Sequence, residues 1–121
     1  MAAGETQPQE SELEKMLKEY QVLQEQLRSI AMQLEQLQGQ KMDMDRAKEE
    51  LDKAEGKIYI SVGGVIVETA KEKAIADIKD RSELNDVRLQ NANRSYTDLR
   101  NKEKTLNDKI TEMYRKAQGL S

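Results

Sequence analysis

The 121-residue sequence contains no cysteine, histidine, phenylalanine or tryptophan, and it has one proline. Without cysteine no disulfide can form, and without cysteine and histidine nearly all zinc, copper and haem sites are excluded. The same absences remove the commonest catalytic bases and nucleophiles, so we expect neither an enzyme, nor a metal, nor a cofactor. With 3% aromatic residues, the chain also has too few large apolar side chains to fill a compact core.

Charge is abundant and evenly mixed. Charged residues make up 36% of the chain, and the formal net charge is −3. There is no block of like charges and no basic patch with stacking aromatic residues, so we expect no nucleic-acid partner. No apolar run approaches the roughly 20 residues of a membrane-spanning helix, and the first residues do not resemble a signal peptide, so no membrane partner is expected either.

The first half of the chain is patterned as a long helix. Residues 1–10 contain Pro8 and small polar residues and are predicted to form a flexible tail. A capping-box pattern that opens at Ser11 predicts a helix over residues 11–55, with Gly56 beyond its end. Ten of twelve positions spaced by three and four residues are apolar, which is typical of a coiled-coil seam. These positions are Leu13, Met16, Tyr20, Leu23, Leu27, Ile30, Leu34, Leu37, Lys41, Met44, Lys48 and Leu51.

A second helix is predicted over residues 70–118, after a capping-box pattern that opens at Thr69. If the chain reverses between the helices, positions whose numbers add up to about 127 face each other in an antiparallel coiled coil. Leu37 should then lie near Leu89, and Lys41 near Asn85 and Asp86. Two interpretations of Lys41 remain open. A polar layer can fix the register of a coiled coil, or the lysine can extend its ammonium group to water.

The segment between the helices, residues 57–69, is predicted to be a β-hairpin. Two β-branched runs flank Gly63-Gly64, and glycine tolerates the positive φ that tight hairpin turns require. Pairing of Val62 with Val65 places five apolar residues on one face and Ile66 on the other. A lone hairpin is marginal in water and has two unpaired edges, so we expect several copies to pool their hairpins into a shared sheet or barrel. The alternative is a hairpin that only caps the coiled coil. The expected assembly residues are Ile58, Ile60, Val62, Val65, Ile66 and Val67.

The order helix, hairpin, helix, with the motif SVGGVIVET in the hairpin, resembles the β class of prefoldin subunits over roughly residues 11–118. The resemblance implies a mainly α fold, a long antiparallel coiled-coil hairpin with one β-hairpin between the helices, and a single domain over residues 11–121. It further implies a cytoplasmic, ATP-independent chaperone of two α-class and four β-class subunits. Such a complex holds unfolded client proteins at the coiled-coil tips and passes them to a group II chaperonin.

The helix ends distant from the hairpin carry the candidate client-binding residues. Fraying of these ends would expose the apolar seam, and methionine adapts to irregular apolar surfaces. Leu17, Val22 and Tyr114 are apolar although they lie off the seam. The alternative is that they are ordinary surface residues and that the chain is a structural coiled-coil adaptor in a larger complex. The expected client-binding residues are Leu13, Met16, Leu17, Tyr20, Ile110, Met113, Tyr114 and Leu120.

Overall fold

The computed structural model describes the backbone of residues 8–119 and the side chains of residues 11–119. In chain order its elements are helix α1 (Pro8–Lys53), strand β1 (Ile58–Val62), strand β2 (Val65–Thr69) and helix α2 (Lys71–Ala117). The predicted fold class is therefore confirmed: two long helices are joined by one antiparallel β-hairpin.

Both helices begin elsewhere than the capping-box patterns predicted. Helix α1 starts at Pro8, so Ser11 lies inside its first turn, and residues 8–10 of the expected tail are helical. Proline is favoured at the first helical position, because its φ is already helical and its missing N–H would have no partner there. Thr69 belongs to β2, and α2 starts two residues later. The remainder of the expected tail, residues 1–7, lies outside the described residues.

The hairpin has the predicted register. Val62 pairs with Val65, Ile60 with Val67, and Ile58 with Thr69. The turn glycines have φ of 54° and 84°, the left-handed values of a type I′ turn, whose twist matches that of the flanking strands. Side chains alternate along each strand, so the pairing places Ile58, Ile60, Val62, Val65 and Val67 on one face of the ribbon and Ile66 on the other.

The chain divides into two compact units. The hairpin unit is Gln33–Ala92, and the terminal unit comprises the parts of both helices outside that range. In the hairpin unit the core lies between the helices, where Leu37, Leu89 and Ala92 are buried and Leu34 packs against them. The predicted approach of Leu37 and Leu89 is thereby confirmed.

In the terminal unit the same antiparallel register holds. Leu27, Leu106 and Ile110 are buried. Gln24 of α1 donates a hydrogen bond from Nε2 to a carboxylate oxygen of Glu103 of α2. The residue numbers 24 and 103 add up to 127, as the predicted register requires. The seam positions of both helices therefore face each other here.

Candidate functional site

The base of the hairpin is fixed to the helices of its own unit. Lys71, the first residue of α2, donates from Nζ to the carbonyl oxygens of Asp52 at 3.1 Å and Ala54 at 3.3 Å. Carbonyl groups at a helix C-terminus lack intrahelical partners, so a lysine at this position stabilises the end of α1. Ile58, the first residue of β1, and Ala74, in the first turn of α2, are buried. The hairpin is thus anchored at one end only.

Beyond Ile58 the hairpin is open to solvent. Ile60 is half-buried, Val62, Val65 and Val67 are exposed, and Ile66 on the opposite face is 73% exposed. Within residues 8–119 the sheet has two strands, so neither strand has a partner on its outer edge. A ribbon with apolar side chains and free backbone donors and acceptors on both edges is suited to pairing with further strands.

A polar layer crosses the helix pair of the hairpin unit at the predicted place. Lys41 Nζ lies 3.5 Å from a carboxylate oxygen of Asp86, with both side chains half exposed. The buried member of the layer is Asn85, which donates from Nδ2 to the carbonyl oxygen of Leu37 at 3.1 Å. The heptad spacing puts both Lys41 and Asn85 at seam positions, and the structure buries only the asparagine. Lys41 instead extends towards solvent, as the second interpretation expected.

The structure places the candidate client-binding residues in the terminal unit in three groups. Leu17 and Tyr114 are exposed, and Ile110 is buried at 8% exposure, so a client could reach Ile110 only after local opening of the helix pair. Leu120 lies outside the described residues. The half-buried seam residues are Leu13, Met16, Tyr20 and Met113.

The terminal unit has a groove on one side that the sequence analysis does not predict. It has a volume of about 660 Å³, and we call its three apolar lining residues, Val22, Leu23 and Leu106, the floor. We call the polar lining residues the rim. They are Lys18 and Glu19 of α1 and Asn101, Lys102, Thr105 and Lys109 of α2. The sequence pattern marks Val22 only as an apolar residue off the seam. The antiparallel register brings residues 18–22 of α1 close to residues 102–109 of α2. This approach is the signal from which the groove could be predicted.

The described residues were also compared with the requirements of a metal site and of a membrane-spanning helix. Among residues 8–119 there is no group of three or more carboxylates placed to hold a metal ion. None of the helices in that range is long and apolar enough to cross a membrane.

The fold and its exposed hairpin define a class of protein: a coiled-coil subunit with one sheet-forming element between its helices. A family model described as "Prefoldin subunit" matches residues 14–117. The chain belongs to the prefoldin subunit family.

Similar proteins point to the β class within that family. Prefoldin subunit beta of Pyrococcus furiosus is 33% identical over 110 residues, which is 89% of this chain and 88% of the relative. Prefoldin subunit beta of Thermococcus onnurineus is 35% identical over 109 residues, 88% of each chain. The crystal structure of the prefoldin beta subunit from Thermococcus strain KS-1 superimposes with a TM-score of 0.77 at 29% identity, covering 84% of this chain and 90% of that one.

Proposed function

We propose that this chain is a β-class subunit of an ATP-independent holdase. Its hairpin joins a shared β-sheet platform with other β-class subunits and with α-class subunits, and its terminal unit binds non-native client proteins. The observation that carries the proposal is the family match over residues 14–117, which takes in the hairpin and nearly all of both helices. The complex contains two α-class and four β-class subunits, works in the cytoplasm and passes clients to a group II chaperonin.

The hairpin supports the assembly step. Its apolar face is exposed, and a two-stranded ribbon is stable in water only when a third strand or a packing surface covers it. Strand addition at the two outer edges would satisfy the backbone groups, and closure or packing of the shared sheet would bury Val62, Val65 and Val67.

The terminal unit supports the client-binding step. Leu17, Val22 and Tyr114 are exposed there, although the coiled coil needs apolar residues only at its seam. A structural adaptor has no use for such residues. A holdase does, because non-native proteins are recognised by the apolar surface they expose.

Aggregation suppression by the assembled complex tests the proposal. The chain is mixed with an α-class prefoldin subunit, and light scattering by a chemically denatured model enzyme is followed after dilution, without nucleotide. The intact complex should suppress the scattering. A complex whose β-class chain lacks residues 1–24 and 105–121 should assemble and fail to suppress it. Full suppression by the shortened complex would contradict client binding by the terminal unit, and a chain that stays monomeric when mixed would contradict the assembly.

A further inference from the structure

The groove of the terminal unit combines an apolar floor with a cationic rim. Leu106 is buried, Leu23 is half-buried and Val22 is 52% exposed, so the floor offers apolar surface to a ligand. Three lysines and one glutamate lie on the rim, a net charge of +2 in a chain whose net charge is −3. The groove therefore has the opposite sign to the molecule as a whole.

The rim lysines have no acidic partner among the described side chains. The ion pairs of that part of the chain are Lys41–Asp86, Arg81–Asp77 and Arg100–Glu103. Lys18, Lys102 and Lys109 take part in none of them, and all three are exposed beside the apolar floor. Their ammonium groups are available to a ligand, and their aliphatic stems widen the apolar surface.

We propose that this groove selects client segments in which an apolar side chain is flanked by carboxylates. This inference rests on the proposed function and specifies the chemistry of its ligand. An apolar side chain enters the groove over Val22 and Leu106, and neighbouring aspartates or glutamates pair with the rim lysines. Lys102 and Lys109 are seven residues apart on α2, about 10 Å along the helix, which equals about three residues of extended chain. Side chains alternate in direction along an extended segment, so carboxylates four positions apart, about 13 Å, lie on the same face as an apolar residue midway between them, and the flexible lysine side chains span the difference.

The selection follows from charge complementarity. An apolar groove without charges would take any unfolded segment, whereas a rim of net positive charge disfavours basic segments and attracts acidic ones. Because the rim charges are exposed, the preference should weaken as salt screens them.

Three short fluorescein-labelled peptides test the inference on the full-length chain in its complex with an α-class subunit. The peptides share a central leucine and differ in two flanking residues, four positions apart on either side of it, which are glutamate, glutamine or lysine. Dissociation constants are measured by fluorescence anisotropy at low and at physiological salt. The glutamate peptide should bind most tightly and the lysine peptide most weakly. An exposed ion pair changes an affinity by up to about fivefold. Two pairs should therefore make the glutamate peptide bind about tenfold more tightly than the glutamine peptide at low salt.

The variant K102Q/K109Q should remove most of that preference, measured as the ratio of the dissociation constants of the glutamine and glutamate peptides. The matched control is K104Q/R115Q, which removes the same charge from exposed residues of α2 in the same unit that do not line the groove. It should keep the preference. Circular dichroism checks that both variants retain their helices.

Each other result has a distinct meaning. Equal binding of the three peptides, or equal loss of preference in both variants, would overturn the groove proposal while leaving client binding intact. Failure of all three peptides to bind would count against the proposed function itself. If K102Q/K109Q changed the mass of the complex and left the peptide preference unaltered, the groove would hold a second protein chain and the client proposal would be wrong.

Discussion

Asn85 of α2 donates a hydrogen bond to the carbonyl oxygen of Leu37 of α1 across the interior of the helix pair. The side chain is 3% exposed, and its Oδ1 has no hydrogen-bond partner among the described residues. A buried carbonyl oxygen without a partner lowers stability, while the single cross-helix bond can be made in one register only. The asparagine thus lowers the stability of the helix pair and fixes the alignment of the two helices.

Replacing Asn85 with leucine should therefore stabilise the chain. The change removes the unsatisfied oxygen and adds an apolar side chain beside Leu37 and Leu89, so the free energy of unfolding should rise by about 1 kcal/mol. Urea unfolding followed by circular dichroism measures it. The control Asn85→Asp has nearly the same shape but places a carboxylate in the interior and loses the donor, so it should lower the free energy of unfolding. A loss of stability in Asn85→Leu would show that the asparagine is fully satisfied in solution.

Gly39 is a second residue that lowers the stability of the chain, because glycine has a low helix propensity. It lies within α1, and a Cβ atom added there would meet no described heavy atom within 4 Å beyond the local helix. Gly39→Ala should raise the free energy of unfolding by about 1 kcal/mol, because alanine loses less backbone entropy in a helix. Thermal unfolding measures the change. The control is Gly64→Ala, where φ is +84° and an L-residue is strained, so that variant should be less stable. A decrease in Gly39→Ala would mean that another subunit packs closely against this position.

The hairpin was predictable from sequence because its determinants are local. The Gly63-Gly64 turn and the β-branched runs beside it fix both the strand pairing and the division of side chains between the two faces. The register of the helices followed as well, since a seam that repeats over many turns leaves few ways to align two helices.

Other features depend on competition or on tertiary contacts. Ser11 and Pro8 offer two helix starts within one turn, and the sequence pattern does not rank them; the structure uses Pro8. The groove depends on which off-seam faces of α1 and α2 adjoin, so Lys18 and Lys109 look like ordinary solvated residues until both helices are placed. The position of Asn85 opposite Lys41 follows from the sequence, but its hydrogen bond to a backbone carbonyl does not.

Ile60 and Val67 form a cross-strand pair on the apolar face of the hairpin, which makes them a direct test of assembly. Ile60→Lys with Val67→Lys should abolish formation of the complex, because charge on this face cannot be buried in a shared sheet. Helix content should stay nearly constant, since the seam is untouched. Sedimentation velocity and circular dichroism measure the two properties.

The control for this pair adds the same charge outside the hairpin. Glu55→Lys changes the net charge by +2 at an exposed residue that precedes β1. This variant should assemble. Assembly of the Ile60 and Val67 double variant would contradict the role of the hairpin as the assembly element, and loss of assembly in the control as well would show that added positive charge alone prevents assembly.

Client binding by the terminal unit can be separated from general hydrophobicity. Changing Leu17, Val22 and Tyr114 to serine removes exposed apolar side chains without touching the buried seam residues Leu27 and Leu106. We expect the complex to assemble normally and to lose most of its suppression of aggregation, because burial of apolar surface drives binding of non-native proteins. The matched control changes three exposed apolar residues of the hairpin unit to serine, Met42, Leu84 and Val87. If the control lost as much activity as the terminal-unit variant, clients would be held along the helices in general, and the assignment of client binding to the terminal unit would be wrong.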